Sequence, residues 1–282
     1  MIFAAASYVV NDTLMKLATE GLPPYEVLFL RGVSAVLWGF PILFALGHAR
    51  RIPLMLDRAV LLRNGLELLA ILSFILALAN MGIADAMALG QVTPLLVLLG
   101  ASALFGERLG WRRLTLVGLG FCGAILVAQP SSNGISVYAV LALLNAGFCA
   151  ARDLASRRVG PEIPGMVVAF GASAVVLAGA GLAHLLLEDW VVPSARHVAL
   201  LGAAGLFLFA GHLCIFMAYR IGPAGAVAPF YYFFSFWAVL SGVLVFGHLP
   251  NGLALAGIAL IIGSGVAVVM LDQRQRRLAP AA

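Results

Sequence analysis

The chain has 282 residues, 63% of them apolar and only 10% charged, with a mean hydropathy of +1.06. Its length would allow a large soluble core, but the apolar runs are too long and too frequent for one, which excludes a water-soluble domain. The net charge of +5 gathers in the short stretches between those runs and marks topology, so a nucleic-acid partner is not expected.

In hydrocarbon the backbone must satisfy its own hydrogen bonds, and continuous apolar runs without strand alternation mean helices, not a β-barrel. About ten spans of 17–25 residues hold the runs: 1–18, 25–47, 59–80, 84–105, 111–128, 135–155, 164–186, 197–217, 222–246 and 251–271. The expected fold is an all-α integral membrane protein. Loops are short, and the longest, HARRIPLMLDR after the second span, leaves no room for an extramembrane domain. The C-terminal residues 273–282 read as a solvated basic tail.

Polar residues at membrane depth cost several kcal/mol unless paired or hydrated, so each is a functional candidate. In the first span Asp12 and Lys16 stand four apart in the order that favours an ion pair, near the outer end, while Asn11 and Ser7 form an adjacent polar face that can reach a cavity. Arg31 in the second span reads as an interface residue neutralised by Glu26 and Glu20. Glu67 follows Arg63 by four in the third span, as a local ion pair or as a group that binds a proton or an amine. Gln91, Thr93 and Pro94 interrupt the fourth span, where the proline removes a backbone bond and predicts a kinked or unwound wall.

Asn145, Cys149, Arg152 and Ser156 share one face of the sixth span. There Arg152 reads as a snorkelling anchor, and Asn145 as cavity lining or a helix–helix hydrogen bond. His212 in the eighth span lines up with Gly205 and Tyr219, either as a titrating group or in an interhelical hydrogen bond. The ninth span carries an aromatic run in which Tyr231 and Ser235 share one face and Phe230, Phe233 and Trp237 another. Recurrent glycines, among them Gly118, Gly120, Gly123, Gly179, Gly202, Gly257 and Gly263, let helix backbones approach closely or act as hinges. Trp111 and Trp190 suit the interfacial belts. The three cysteines fall in apolar spans, and His212 and Cys214 point to different helix faces. No disulfide, metal site or cofactor is expected.

Two features set the topology. With the N-terminus inside, Arg50, Arg51, Arg58, Arg63, Arg108, Arg112, Arg113, Arg152, Arg157, Arg158, Arg220, Arg274, Arg276 and Arg277 lie on the inner side and only Arg196 outside, which predicts both termini in the cytoplasm. The chain also repeats at a spacing of about 140 residues: Leu14 meets Leu154, Pro24 meets Pro164, Val36–Leu37 meets Val176–Leu177, and Gly39 meets Gly179. A second alignment at nearly the same spacing sets 81–107 over 221–248. Two copies of an odd number of spans enter the bilayer in opposite senses, giving five-helix repeats at 1–130 and 131–272 around a central cavity. On that spacing the first span should begin about five residues before Met1, so a short N-terminal stretch is expected to precede the sequence.

Each half ends in a helix–turn–helix, the first reading PLLVLLGASALFGERLGWRRLTLVGLGFCGAILV. This resembles the EamA-type repeats of the drug/metabolite transporter superfamily. FGERL (Phe105–Leu109) is the most specific piece, and its second copy, FGHLP (Phe246–Pro250), lacks the glutamate. Within the superfamily the chain looks most like the YddG-type amino-acid exporters of bacterial inner membranes. The resemblance implies a cavity between the halves, lined by spans 1, 3, 4, 6, 8 and 9.

The expected function is export of amino acids or similar small polar metabolites by alternating access, with hydrophobic cations or drugs as the alternative cargo and a non-transport structural membrane subunit as the remaining alternative. Partners reduce to a small solute and the lipid bilayer. An enzyme is not expected, because no nucleophile–base or metal constellation occurs at workable spacing. The candidate substrate-binding residues are Asn11, Glu67, Gln91, Thr93, Asn145, His212, Tyr231 and Ser235, with Phe233 and Trp237 as an aromatic cover.

Overall fold

A computed structural model describes residues 2–105, 110–129, 135–156, 158–221 and 233–278. Those residues form helices and connecting turns, with no strand among them. The helices are α1 (Ile2–Ala18), α2 (Pro24–Ala45), α3 (Arg58–Asn80), α4 (Ile83–Gly90), α5 (Thr93–Phe105), α6 (Trp111–Ala128), α7 (Val137–Ser156), α8 (Gly165–Leu187), α9 (Ala195–Ile221), α10 (Phe233–Phe246) and α11 (Gly252–Leu278). Among the described residues eight segments are long and apolar enough to cross a membrane, one of them running through α4 and α5 together. At the two other expected positions α1 has 17 residues and α10 has 14. Tyr231 and the Gly106–Leu109 part of the FGERL turn lie outside the described residues.

Local chemistry sets several helix ends. Asp57 caps α3, its carboxylate accepting the backbone N–H groups of Ala59 and Val60. The start of α2 is held from a distance: Glu188, just past α8, accepts from the N–H groups of Tyr25 and Glu26, both at 3.0 Å. A carboxylate there also meets the positive end of the helix dipole. Glu26 in return accepts from the N–H of Val191 at 3.1 Å. The loop after α2 is no open loop but a 3-10 segment, Ala49–Leu56, whose Ile52 and Met55 pack against the α2–α8–α9 core. At the other end of the chain α11 runs on to Leu278 instead of giving way to a tail at residue 273, since Gln, Arg and Leu sustain a helix and Pro280 is the first residue that cannot.

The fourth span breaks where expected. Pro94 has no N–H to give the carbonyl of Gly90, and the Thr93 hydroxyl takes its place, donating to that oxygen at 2.7 Å. The chain turns at Gln91 and Val92 and then resumes as α5.

Packing is strongly paired. Helix α1 lies on α9 and α10, and α7 lies on α3 and α5; α2 lies on α8 and α9, α3 on α8, and α6 on α11. Glycine makes the tightest of these interfaces possible. A Cβ on Gly123 would stand 2.7 Å from the carbonyl oxygen of Gly257, and one on Gly257 would stand 2.6 Å from that of Gly123, so the backbones of α6 and α11 touch. Likewise Gly39 of α2 receives the Phe209 ring of α9, and Gly179 of α8 receives the Leu68 side chain of α3. A Cβ on Gly118, Gly202 or Gly263 would meet nothing within 4 Å among the described residues, although the Gly202 carbonyl accepts from Ser34 and Trp38 of α2. Around the bundle large apolar side chains stay exposed, among them Leu37, Phe44, Leu185 and Leu244, as a lipid-facing surface requires.

The α6–α11 contact gives a direct prediction. Gly123→Ala should destabilise the detergent-solubilised protein by about 1–3 kcal/mol, because backbone cannot yield as a side chain can. Gly118→Ala, facing open space on the same helix, should be neutral or stabilising by up to about 1 kcal/mol. Paired thermal-unfolding curves of the two variants check this.

Candidate functional site

The charged groups inside the bundle meet across helices that are far apart in the chain. Glu67 of α3 accepts from Arg63, one turn back, at 3.1 Å and from Arg152 of α7 at 2.9 Å. Arg152 also grips its neighbour Asp153, at 2.7 Å. The expected Arg63–Glu67 pair therefore exists but is half of the arrangement, and Arg152 is not a snorkelling anchor. A guanidinium has five donors and a rigid fork, so one arginine can bridge two carboxylates. Arg63 adds a bond to the amide oxygen of Asn64 at 2.9 Å.

On the same face of α7, Cys149 donates to Asn145 at 3.5 Å, and Ser156 bonds back to the Arg152 carbonyl. The amide of Asn145 comes close to Gly90, where α4 ends. Thr93 reaches the Ala146 carbonyl at 3.3 Å besides that of Gly90, and Gln91 at the break is buried, 7% exposed. Gln91, Thr93 and Asn145 thus gather at one junction of the broken fourth span with α7, and the Glu67–Arg152 pair lies farther along α7.

A second group comes from α1, α2 and α9. Asn11 donates to Asp12 at 2.9 Å, and the charges of Arg31 act on Asp12, Glu67 and Tyr8. The expected Asp12–Lys16 pair does not form. Lys16 donates instead to the carbonyls of Leu78 and Met81, at 2.5 and 2.8 Å, where the end of α3 offers oxygens without helical partners. Arg31 likewise makes no ion pair with Glu26 among the described residues; one oxygen of Glu26 takes the Val191 N–H and the other has no hydrogen-bond partner there. His212 makes no interhelical hydrogen bond from Nδ1, which turns to the Leu208 carbonyl of its own helix at 2.9 Å. The His212 ring stacks 5.3 Å from Tyr8, within electrostatic reach of Glu67, Arg63 and Arg31.

Tyr8 is the residue missed from the sequence. Its ring lies between His212 and Phe234, 5.7 Å from the latter, so Phe234 joins the aromatic wall. Tyr8 falls one helical turn before Asn11 and Asp12, a spacing that could have flagged it. Phe233 packs edge-on against Phe236, which faces outward, and Trp237 joins the apolar core beside α1 and α3. Ser235 is buried next to them. Asn11 Oδ1, Ser235 Oγ and Trp237 Nε1 are all buried with no hydrogen-bond partner among the described residues. Unsatisfied buried polar atoms are costly, and a polar solute could satisfy such atoms.

No group of His, Cys, Asp and Glu among the described residues could hold a metal ion, and the cysteines are free thiols. The arrangement offers hydrogen bonds, charge and aromatic surface, which bind and orient a solute.

Removing the Glu67 carboxylate leaves Arg63 and Arg152 facing each other. Glu67→Gln should therefore cost about 1–3 kcal/mol, below the loss for a fully buried pair because these side chains keep partial solvent access. Arg63→Gln in the same chain should restore part of it. A double-mutant cycle on unfolding free energy reads the coupling.

The profile of the EamA-like transporter family matches residues 1–129. The riboflavin transporter of Rhizobium johnstonii is 31% identical over 257 residues, covering 86% of this chain and 83% of that one. The pseudopaline exporter of Pseudomonas aeruginosa is 28% identical over 276 residues, covering 95% and 93%. A solved crystal structure superposes with a TM-score of 0.68 over 96% of this chain and 97% of its own at 23% identity, which speaks to the fold alone. These relatives are transporters and not enzymes. With a relative of 31% identity matched over most of both chains, and with its apolar helices on the page, this chain is a multi-pass membrane transporter and belongs to the EamA-like transporter family of the drug/metabolite transporter superfamily.

Proposed function

We propose that the protein is a bacterial inner-membrane exporter of amino acids or similarly small polar metabolites, working by alternating access between two inverted five-helix halves, residues 1–130 and 131–272, with both termini in the cytoplasm. The observation that carries this reading is the Glu67–Arg152 ion pair, which joins the two halves beside a wall of aromatic rings and unsatisfied polar atoms. An amino-acid zwitterion needs donors for its carboxylate and acceptors for its ammonium, and this pair offers both. A hydrophobic cation is the weaker cargo, because in taking Glu67 it would draw that carboxylate from Arg152 and bring no anion in return.

The inverted halves draw support from the packing. Exchange each helix for its repeat partner, and α1 on α9 becomes α7 on α3; α2 on α9 becomes α8 on α3; α1 on α10 becomes α7 on α5. The pairs α2–α8 and α6–α11 map onto themselves. The exchange extends to residues: Gly39 against Phe209 answers Gly179 against Leu68, each a glycine of the second span of a copy receiving a side chain from the third span of the other. Outward movement draws support from the name of the Pseudomonas relative, an exporter. The bacterial inner membrane is supported by the bacterial relatives, and the cytoplasmic termini by the arginine asymmetry.

Two measurements test the proposal. In proteoliposomes a panel of amino acids should show protein-dependent flux, and Gln91→Leu or Asn145→Leu should each lower it about tenfold, equivalent to about 1.4 kcal/mol, while expression and folding hold. Unchanged flux in both variants would remove the amino-acid site from this junction. In intact cells a cysteine replacing Arg112 should resist a membrane-impermeant maleimide; external labelling would overturn the orientation.

A further inference from the structure

At the end of the bundle where α1 and α3 finish, a cavity of about 60 Å³ lies between the two proposed halves. It has room for several waters rather than one. Lys16 of α1, Gly82 and Asp85 at the start of α4, and Phe246 and His248 at the end of α10 line it. Two opposite charges share this cavity without meeting.

The Lys16 ammonium is held by the Leu78 and Met81 carbonyls and sits 5.6 Å from the centre of the Phe246 ring. An ammonium has three donors, so one remains after those two bonds. Across the cavity the Asp85 carboxylate has one oxygen, Oδ1, buried with no hydrogen-bond partner among the described residues. No salt bridge joins the two among those residues. The other charged and titratable neighbours are Glu20, whose charge acts on Lys16, and His248.

Fixed charges of opposite sign on facing walls select their ligand. A simple cation meets Asp85 but is repelled by Lys16, and a simple anion meets the reverse. A dipolar head group, carrying an ammonium and a carboxylate a few bonds apart, satisfies both walls.

The cavity and the charged cluster described above lie at different heights on α1. Asn11 and Lys16 are five residues apart on that helix, about 7.5 Å along its axis. Between them the Thr13 and Ser241 hydroxyls bond at 2.6 Å across α1 and α10, and Ile83, Met87, Phe234 and Trp237 belong to one apolar core with residues of α1.

We propose that the Lys16–Asp85 cavity is a second solute-binding site, taking the zwitterionic head group of a small amino acid, with the carboxylate on Lys16 and the ammonium on Asp85. This rests on the transport reading above, in which it is the outer stop of the path. The Thr13–Ser241 hydrogen bond lies between it and the inner stop.

The test is protection of an introduced thiol at the exposed mouth of the cavity. L249C is made in the otherwise unchanged protein and labelled with a membrane-impermeant maleimide in right-side-out and inside-out vesicles, after subtracting labelling of the parent. L-alanine should slow labelling several-fold and saturably on the one side that labels. Sodium L-lactate and ethylamine, which carry one charge each, should not. Asp85→Asn and Lys16→Met in the L249C protein should each weaken alanine protection about tenfold, whereas Gln91→Leu, at the other site, should leave it intact. Equal protection by ethylamine or by lactate would make this a simple ion site and overturn the proposal, as would undiminished protection in Asp85→Asn. Protection without amino-acid flux in proteoliposomes sinks the transport reading and leaves the site standing. Flux without protection sinks the site alone.

Discussion

A charge in hydrocarbon must find its opposite or a ring of carbonyls, and that constraint decides which helices of this protein stand side by side. Lipid tails are as apolar as leucine, so no hydrophobic force draws one membrane helix to another. A lone charged side chain at mid-membrane costs about 2.5–3.5 kcal/mol on insertion scales. Pairing Glu67 with Arg152 fixes α3 against α7. Lys16 fastens α1 to the end of α3 through two carbonyls. The same groups that organise the bundle are those a polar solute would use.

Close packing carries the rest. Dispersion falls off steeply with distance, and glycine brings backbones within reach of one another. At Gly123 and Gly257 the two chains touch, whereas Gly39 and Gly179 each take a side chain from the neighbouring helix. The first kind of contact makes a rigid seam between α6 and α11. The second makes sockets along α2 and α8 that a side chain can leave. The two kinds of contact fall on different helices.

The helices were legible in the sequence because hydrocarbon allows so little else: the predicted span at 111–128 coincides with α6, and the break at Gln91 follows from Pro94 lacking an N–H. What escaped were choices of partner. Spacing placed Lys16 one turn from Asp12 and therefore predicted a bond within one helix, but the end of α3, 62 residues away in the chain, offered its carbonyls instead. Arg152 read as an anchor because its basic neighbours marked the membrane boundary, and nothing local announced Glu67 on another helix. Tyr8 went unremarked because a tyrosine in an apolar run is ordinary until His212 and Phe234 are seen on either side of it. A pattern along one helix gives its faces; which face meets which is a property of the assembled bundle.

That distinction bears on how the proposed site works. Glu67 and Arg152 satisfy each other when no solute is present. A zwitterion entering between them exchanges one ion pair for two of the same kind, its carboxylate on the arginine and its ammonium on the glutamate. Arg63 remains on Glu67 throughout and keeps the acid in place. The net charge of the cluster does not change, so little electrostatic energy is spent on entry or recovered on release. What does change is the direct tie between α3 and α7, which now runs through the solute. A cargo carrying only one of the two charges would leave either Arg152 or Glu67 less satisfied than before it came, and an exchange of that kind is how a pair of opposite charges can reject ions while accepting a dipole.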